Sequence, residues 1–548
     1  MDLFVIITFL AFTLGVAFIS WYKTRGSNFS SKDGYFLAGR SLTGVTIAGT
    51  IMLTNLSTEQ LIGLTGQSYM TNMGPMAWEA TSCVALVLMA FVFLPKYLKS
   101  GIATIPDFLE ERYDYSTKRI VSLLFILGYI LTYLPTVLYS GSLVLNQLFG
   151  ISDRLGVSDF SAILIISGAI GVVGILYTTF GGLKITAYAD TINGVGLLIG
   201  GLMIPILGLI ALGDGSFMDG INTLITVNPE KLNAINPANS QAPLVPWPVL
   251  FTGLLFNNLF YWCTNQAIVQ KTFGAKNLAE AQKGVIFTGF LKLIGPFFLV
   301  IPGIIAFHLY GNTLSNADLA YPTLVLDVLP KPLLGLFAAV LFGAILSSFN
   351  GALNSTSTLF TLDIYKPIMQ KKAQKMLATS GNDEVALDKT DEELVNMGRK
   401  FTTGLAILSI AIAPFILYAP AGLFGYLQEC FGFYNVPILA AVVIGIFSKK
   451  VPAIAPKIAL VSHIILYSLS KVFLGHVHFL YVLGVLFPIN ILIMLYVGKI
   501  KPRENDFVQA DAGVVDLTPW KYAKPIALFS IIAMAIMYLV FSPLGLGA

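Results

Sequence analysis

Apolar residues in this chain run for some 20 positions or more at a time, and short stretches between the runs hold most of the charge. A run of that length matches the hydrocarbon of a bilayer, roughly 30 Å thick and crossed by about 20 helical residues. Fourteen runs can be drawn, near 2–21, 44–66, 75–97, 118–147, 161–180, 190–212, 246–268, 284–308, 332–364, 399–418, 421–447, 452–474, 476–498 and 523–542. They predict an all-α integral membrane protein with 14 transmembrane helices. The first run has no basic leader and is followed directly by Lys23 and Arg25, so it reads as a retained helix rather than a signal peptide. Only 11% of the 548 residues are charged, against about 25% in soluble domains.

Polar positions inside the runs carry the chemistry. In the second run, Leu53-Thr54-Asn55-Leu56-Ser57-Thr58-Glu59-Gln60 lies between apolar halves bracketed by Gly49 and Gly63. Hydrocarbon rejects such groups unless they face protein, a partner or water. Two readings fit: a bundle-facing helix with satisfied polar groups, or a discontinuous helix whose freed backbone groups bind ions or solute. The seventh run repeats the theme with Asn257-Asn258-Leu259-Phe260-Tyr261-Trp262-Cys263-Thr264-Asn265-Gln266. Broken-looking helices therefore open two consecutive blocks of five helices, 44–212 and 246–447. Because five is odd, the second block enters from the opposite side. The expectation is a 5+5 inverted-repeat core, discontinuous at helices 2 and 7, with a binding site near the midplane. Residues 1–43 would form a peripheral first helix and a surface segment, and 452–548 scaffold helices.

Other buried-looking polar groups are few. Glu79 follows Pro75 by one turn, where the positive end of a helix alone could account for an acid. Lys292 lies nine residues from Lys283, or ~13 Å along a helix, too far to snorkel easily to an interface; a polar cavity suits it better. Ser347 and Ser348 sit among small residues, which suits either close helix packing or the hard oxygens a cation needs. Asp190, just inside the sixth run, fits an ion pair with Lys184 or a way-point for a departing cation. His476 and His478 read as interfacial.

Charge sets topology rather than partners. With the N-terminus outside, the connections assigned to the inner side hold 28 of the 33 Lys and Arg, and the outer set only Arg154, Lys231, Lys331 and Lys471. That asymmetry predicts both termini outside. The net charge of +4 thus marks the inner face and its anionic lipid headgroups, not nucleic acid. No zinc-ligand spacing, phosphate loop or nucleophile elbow is present, and the three cysteines fall in or beside the runs without forming a disulfide framework.

Several motifs in combination, Tyr35-Phe36-Leu37-Ala38-Gly39-Arg40, Asn55 to Gln60, Asp107-Phe108, Gly181-Gly182-Leu183, Tyr261-Trp262, Gln282-Lys283-Gly284 and Asp363-Ile364-Tyr365, carry a resemblance. The chain resembles, over essentially its whole length, the sodium/solute symporters of the sodium–glucose cotransporter type, close to their bacterial sodium/galactose branch. The resemblance implies a LeuT-like fold in a bacterial inner membrane, working as a monomer, with Na+ and a small neutral sugar as its cargo. It implies hexose ligands at Gln60, Glu79, Asn258, Lys292 and Gln428, with Tyr261 stacking from the inner side. It implies a sodium site from the Leu53 and Leu56 carbonyls with Ala344, Ser347 and Ser348, and a sodium exit route past Asp190. Leu64, Trp78 and Phe424 would form the outer gate. Leu53, Leu64, Trp78 and Lys271 stand where that branch has alanine, methionine, tyrosine and arginine.

The function expected is sodium-coupled symport of a neutral hexose by alternating access. The alternatives are sodium-coupled uptake of another small solute (a sialic acid, an amino acid or a carboxylate) and a solute sensor that does not transport. An enzyme is not expected, because no nucleophile, base and electrophile converge.

Overall fold

The computed structural model describes residues 3–27, 31–314, 316–371, 385–418 and 423–547. Among these the secondary structure is helical, with isolated bridges and no extended strand. In chain order the elements used below are α1 (Leu3–Thr24), α2 (Gly44–Asn55), α3 (Thr58–Met70), α4 (Met76–Ser100), α5 (Ile105–Arg112), α6 (Tyr115–Phe149), α7 (Asp159–Thr179), α8 (Gly181–Leu212), α9 (Gly253–Cys263) and α10 (Gln266–Phe273). They continue with α11 (Leu278–Tyr310), α12 (Lys331–Lys371), α13 (Glu392–Tyr418), α14 (Leu423–Phe431), α15 (Asn435–Phe447), α16 (Ile454–Phe473), α17 (Phe479–Ile500) and α18 (Ala523–Val540).

The expected count of 14 transmembrane helices is corrected by this architecture. Among the described residues 11 helices are long and apolar enough to cross a membrane, or 12 if α14 and the helix after it, bent by 49°, make one span. The difference has a physical cause at the second and seventh apolar runs. α2 and α3 hold 12 and 13 residues, and α9 and α10 hold 11 and eight. Even 13 residues reach only ~20 Å along a helix axis. Counting apolar length merged pieces that the backbone keeps apart. Residues 372–384, which follow α12, lie outside the described residues.

Polar residues end these short helices. Thr43 caps α2 by accepting from Thr46 N, and α2 stops where Leu56 and Ser57 leave helical geometry. The last i−4 bond runs from Leu56 N to Met52 O, while Ser57 N turns to Asn55 O and Gln60 N to Ser57 O. The helical ladder therefore leaves the Leu53 and Leu56 carbonyls unused. At the second break Asn265 caps α10 through Ala267 N, and its own Oδ1 also accepts from Tyr129. Helical geometry is broken at Gly182, the second residue of α8, whose φ of +51° suits glycine; a Cβ there would also lie 2.5 Å from the Tyr35 carbonyl oxygen.

Three long helices contain a π-helical turn: Met89–Phe93 in α4, Tyr129–Tyr133 in α6 and Leu359–Tyr365 in α12. Each ends two residues before a proline, at Pro95, Pro135 and Pro367. A proline cannot donate to the carbonyl four residues back. Those carbonyls belong to Phe91, Leu131 and Asp363, all inside the widened turns, and a π turn is one way a helix absorbs that loss.

The broken helices form the centre. α2 packs on α8, α11 and α12, and α3 on α6, α14 and the far end of α11. α10 packs on α2 and α12, and α9 on α4, α15 and α17. Every residue of α3 but Met70 is buried, while α1, α16, α17 and α18 expose large apolar side chains as lipid-facing helices do. Arg40, Arg112 and Lys283 gather at one end: Arg40 on the Gly101 and Phe273 carbonyls, Arg112 on those of Gly445, Ser448 and Val451, and Lys283 on Glu280. This end is called the basic face below. His478, outside the spans, accepts from Leu480 N to cap α17, and burial pushes its pKa down to about 4.

Candidate functional site

The break between α2 and α3 faces α9 across a cavity of about 30 Å³. Gln60, Asn258 and Gln428 line it together with Tyr261, Trp78 and Phe424. Asn55, Ser82, Asn257 and Trp262 line it too, although sequence reasoning gave none of them a part in the site. Asn55 Nδ2 donates to Tyr261 Oη at 3.1 Å, which ties the first break to α9. Asn257 Nδ2 donates to Gln428 Oε1 at 2.9 Å, and Asn257 in turn accepts from Asn435. Asn258 Nδ2 donates to Thr81 Oγ1.

Glu79 and Lys292 are not on the cavity wall. They form a fully buried pair, Lys292 Nζ to Glu79 Oε2 at 2.5 Å, with side-chain exposures of 0% and 1%. Lys292 Nζ stands 5.5 Å from the centre of the Trp262 ring, so the pair lies behind an aromatic that does line the cavity. A Cβ at Gly295 would overlap Glu79 Oε2, so the glycine makes room for the carboxylate. Lys292 is thus explained by an ion pair rather than by the polar cavity expected for it. Four buried polar atoms in this region have no hydrogen-bond partner: the acceptors Asn55 Oδ1, Gln60 Oε1 and Glu79 Oε1, and the donor Trp262 Nε1.

On the side away from the basic face, the Phe424 ring meets Trp78 edge-on, 5.2 Å between centres at 82°. Phe424 also lies over α3 at Gly63, where a Cβ would come 2.5 Å from the Phe424 Cβ. Leu64 is buried beside them but does not line the cavity. Tyr261 closes another side and stands edge-on to Trp262 at 5.1 Å. A water needs about 10–15 Å³ by this measure, so the walls must part before a hexose can enter.

The hydroxyl cluster expected on α12 meets the end of α2. Ser348 Oγ donates to Thr54 O at 2.8 Å, and Ser347 Oγ lies 3.1 Å from Thr54 Oγ1. Thr54, absent from the expected set, is flanked by Leu53 and by the break at Leu56. Ala344 lies one turn before Ser348 and is fully buried. Two hydroxyls and the two carbonyls released by the break are hard, uncharged oxygens, a donor set suited to an alkali cation. Replacing Ser348 with alanine removes one of these oxygens. The expected result is a sodium half-saturation for uptake raised about tenfold, the scale of one lost buried polar contact, with unchanged membrane insertion; sodium titration of uptake in proteoliposomes checks it.

Asp190 does not pair with Lys184. Its Oδ2 lies 3.2 Å from Lys271 Nζ and accepts from Thr50 Oγ1. Tertiary packing of α8 on α2 and α10 supplies a partner that sequence proximity does not show.

Residues 35–465 match the sodium:solute symporter family. An uncharacterized symporter of Escherichia coli (strain K12), YidK, is 49% identical over 536 residues, covering 97% of this chain and 90% of that one. A sodium/glucose cotransporter of Vibrio parahaemolyticus is 33% identical over 474 residues, covering 82% and 81%. A solved Na+-coupled sialic acid symporter in a substrate-bound outward-open state superposes with a TM-score of 0.75 at 20% identity, over 92% of this chain and 99% of that one; at that identity the likeness concerns the fold. This chain belongs to the sodium:solute symporter family, a multi-pass membrane transporter and not an enzyme, coupling sodium to the movement of a small polar solute.

Proposed function

We propose that the solute is neutral and hydroxyl-rich, a hexose of the galactose or glucose kind, taken up by sodium-driven alternating access. The observation that carries this reading is the set of unpartnered buried atoms, three acceptors (Asn55 Oδ1, Gln60 Oε1, Glu79 Oε1) to one donor (Trp262 Nε1). A polyol donates from each hydroxyl and accepts at the same oxygen, so it satisfies both kinds. A carboxylate brings only acceptors, and the ammonium that could meet it, Lys292, is engaged by Glu79. The name of the Vibrio relative, a sodium/glucose cotransporter, points the same way.

In this reading Gln60, Asn258 and Gln428 hold the sugar, and Glu79 and Lys292 reach it once the cavity widens. Tyr261 covers the sugar's C–H face from the cytoplasmic side. Trp78 and Phe424 close the opposite side, with Leu64 packed behind. Leu53, Leu56, Ala344, Ser347 and Ser348 hold sodium, and the basic face is cytoplasmic, both termini lying outside a bacterial inner membrane.

The test is solute uptake into proteoliposomes under an inward sodium gradient, competed by neutral hexoses, an amino acid and a sialic acid. Competition by hexoses alone is expected. Competition only by the amino acid or the acid sugar overturns the hexose reading in favour of the broader one, sodium-coupled uptake of another small solute. Binding without any gradient-driven accumulation would mark a sensor instead.

A further inference from the structure

Thr50 and Thr54 are one turn apart on α2, ~6 Å along its axis. Thr54 meets Ser347 and Ser348; Thr50 meets a buried charge pair. Lys271 Nζ donates to Thr50 Oγ1 at 2.7 Å and lies 3.2 Å from Asp190 Oδ2, and Thr50 Oγ1 donates to the same carboxylate oxygen at 2.5 Å. Lys271, Asp190 and Thr50 are 1%, 2% and 0% exposed. The stem of Lys271 runs toward the hydroxyl cluster: a Cβ on Gly351, one turn beyond Ser347, would sit 3.0 Å from Thr54 Cγ2 and 3.7 Å from Lys271 Cε. Three pieces of chain thus bring one carboxylate and one ammonium to a point a single turn from the oxygens that suit a cation. They are α2 before the first break, α10 after the second, and α8.

A buried carboxylate is costly without a counter-charge. At this position two cations can supply one, the tethered ammonium of Lys271 or a sodium ion moving along α2. They compete for the same oxygens. While Lys271 holds Asp190, the carboxylate cannot trap an ion on its way out; when α10 shifts and draws the ammonium off, Asp190 becomes an attractor one turn below the ion's resting place. We infer that Lys271 is a tethered cation that competes with sodium for Asp190 and so sets how tightly the ion is held and how fast it leaves. Lys271 is a positioning residue here, acting on sodium through Asp190. The inference rests on the assignment of Ser347 and Ser348 to the sodium site.

The test is a charge cycle read by sodium titration of uptake and by melting of the purified protein. Lys271→Gln leaves Asp190 without its counter-charge, so sodium half-saturation falls and maximal rate falls with it, as release becomes limiting. Asp190→Asn leaves an unopposed ammonium, and half-saturation rises. Each shift is about three- to tenfold, the usual span of a coupled pair. The double variant returns toward the wild-type half-saturation, and Lys271→Arg stays near it. A purely structural pair would lower the melting temperature of both single variants and leave sodium half-saturation unmoved; that result, or shifts of one sign in both, overturns the proposal. Should a single variant fail to insert, the cycle is read from Lys271→Arg and the double variant. Sodium half-saturation shifted more than tenfold from wild type in both of these overturns the proposal too. Sodium-independent uptake by the wild-type protein would instead overturn the coupled-transport reading on which the cycle is built, and the same titration reports it. Altered sodium dependence in Ser348→Ala tests the assigned ion site separately.

Discussion

Replacing Glu79 with glutamine abolishes uptake and destabilises the protein by about 3–5 kcal/mol, the usual cost of removing one partner of a buried pair. Lys292 would be left as a desolvated ammonium, fully buried and facing Trp262. Lys292→Met does comparable damage by stranding the carboxylate. The double variant, Glu79→Gln with Lys292→Met, separates folding from transport. Two uncharged side chains of similar volume recover most of the lost stability, yet uptake stays absent if the pair serves the solute. Melting curves and proteoliposome uptake on the same three variants decide. A double variant that regains transport along with stability would reduce the pair to scaffold and remove Glu79 and Lys292 from the solute site.

The second large effect is expected at a glycine. In Gly63→Ala the added methyl meets the Phe424 Cβ at 2.5 Å, closer than packed carbons tolerate, and small-to-large changes of this kind cost about 1–3 kcal/mol. The relief available is to move α14 off α3, which parts Phe424 from Trp78 and opens the cavity on the side away from the basic face. Uptake should fall about tenfold or more, because the transporter spends less time closed on that side. A cysteine placed at Ser82, on the cavity wall, should react faster with a water-soluble maleimide in the Gly63→Ala background. Equal labelling in both backgrounds would mean that the Phe424 contact does not gate the cavity.

Much of this site was legible because polar residues in hydrocarbon are informative. The run from Thr54 to Gln60 located the first break, and the amides after Phe256 located the second. Length was the misleading signal: 23 apolar-looking positions near 44–66 read as one helix, whereas the break at Leu56 and Ser57 divides them. Local polarity also does not say which face a side chain takes. Asn257 and Asn258 are neighbours on α9, and only their packing shows one on Gln428 and the other on Thr81. Partners far apart in sequence were out of reach for the same reason. Asp190 found Lys271, 81 residues away, and Glu79 found Lys292, 213 residues away, because helices far apart in the chain pack side by side.

The three π turns have a consequence for the history and engineering of the chain. Each adds a residue to a helical turn, so a helix entering it leaves with its faces rotated by ~100° relative to an uninterrupted α-helix. The half of α6 that carries Tyr139 and Ser140 is therefore out of phase with the half that carries Lys118 and Ser122, and α12 is divided in the same way between Ser348 and Lys366. Read as sequence, each turn resembles a one-residue insertion fixed in place by the proline that follows. Either half can then acquire substitutions suited to its own surroundings without turning the other. Chimeras between related transporters joined at these turns would keep both faces in register, whereas deleting the extra residue would rotate one half of the helix out of its neighbours.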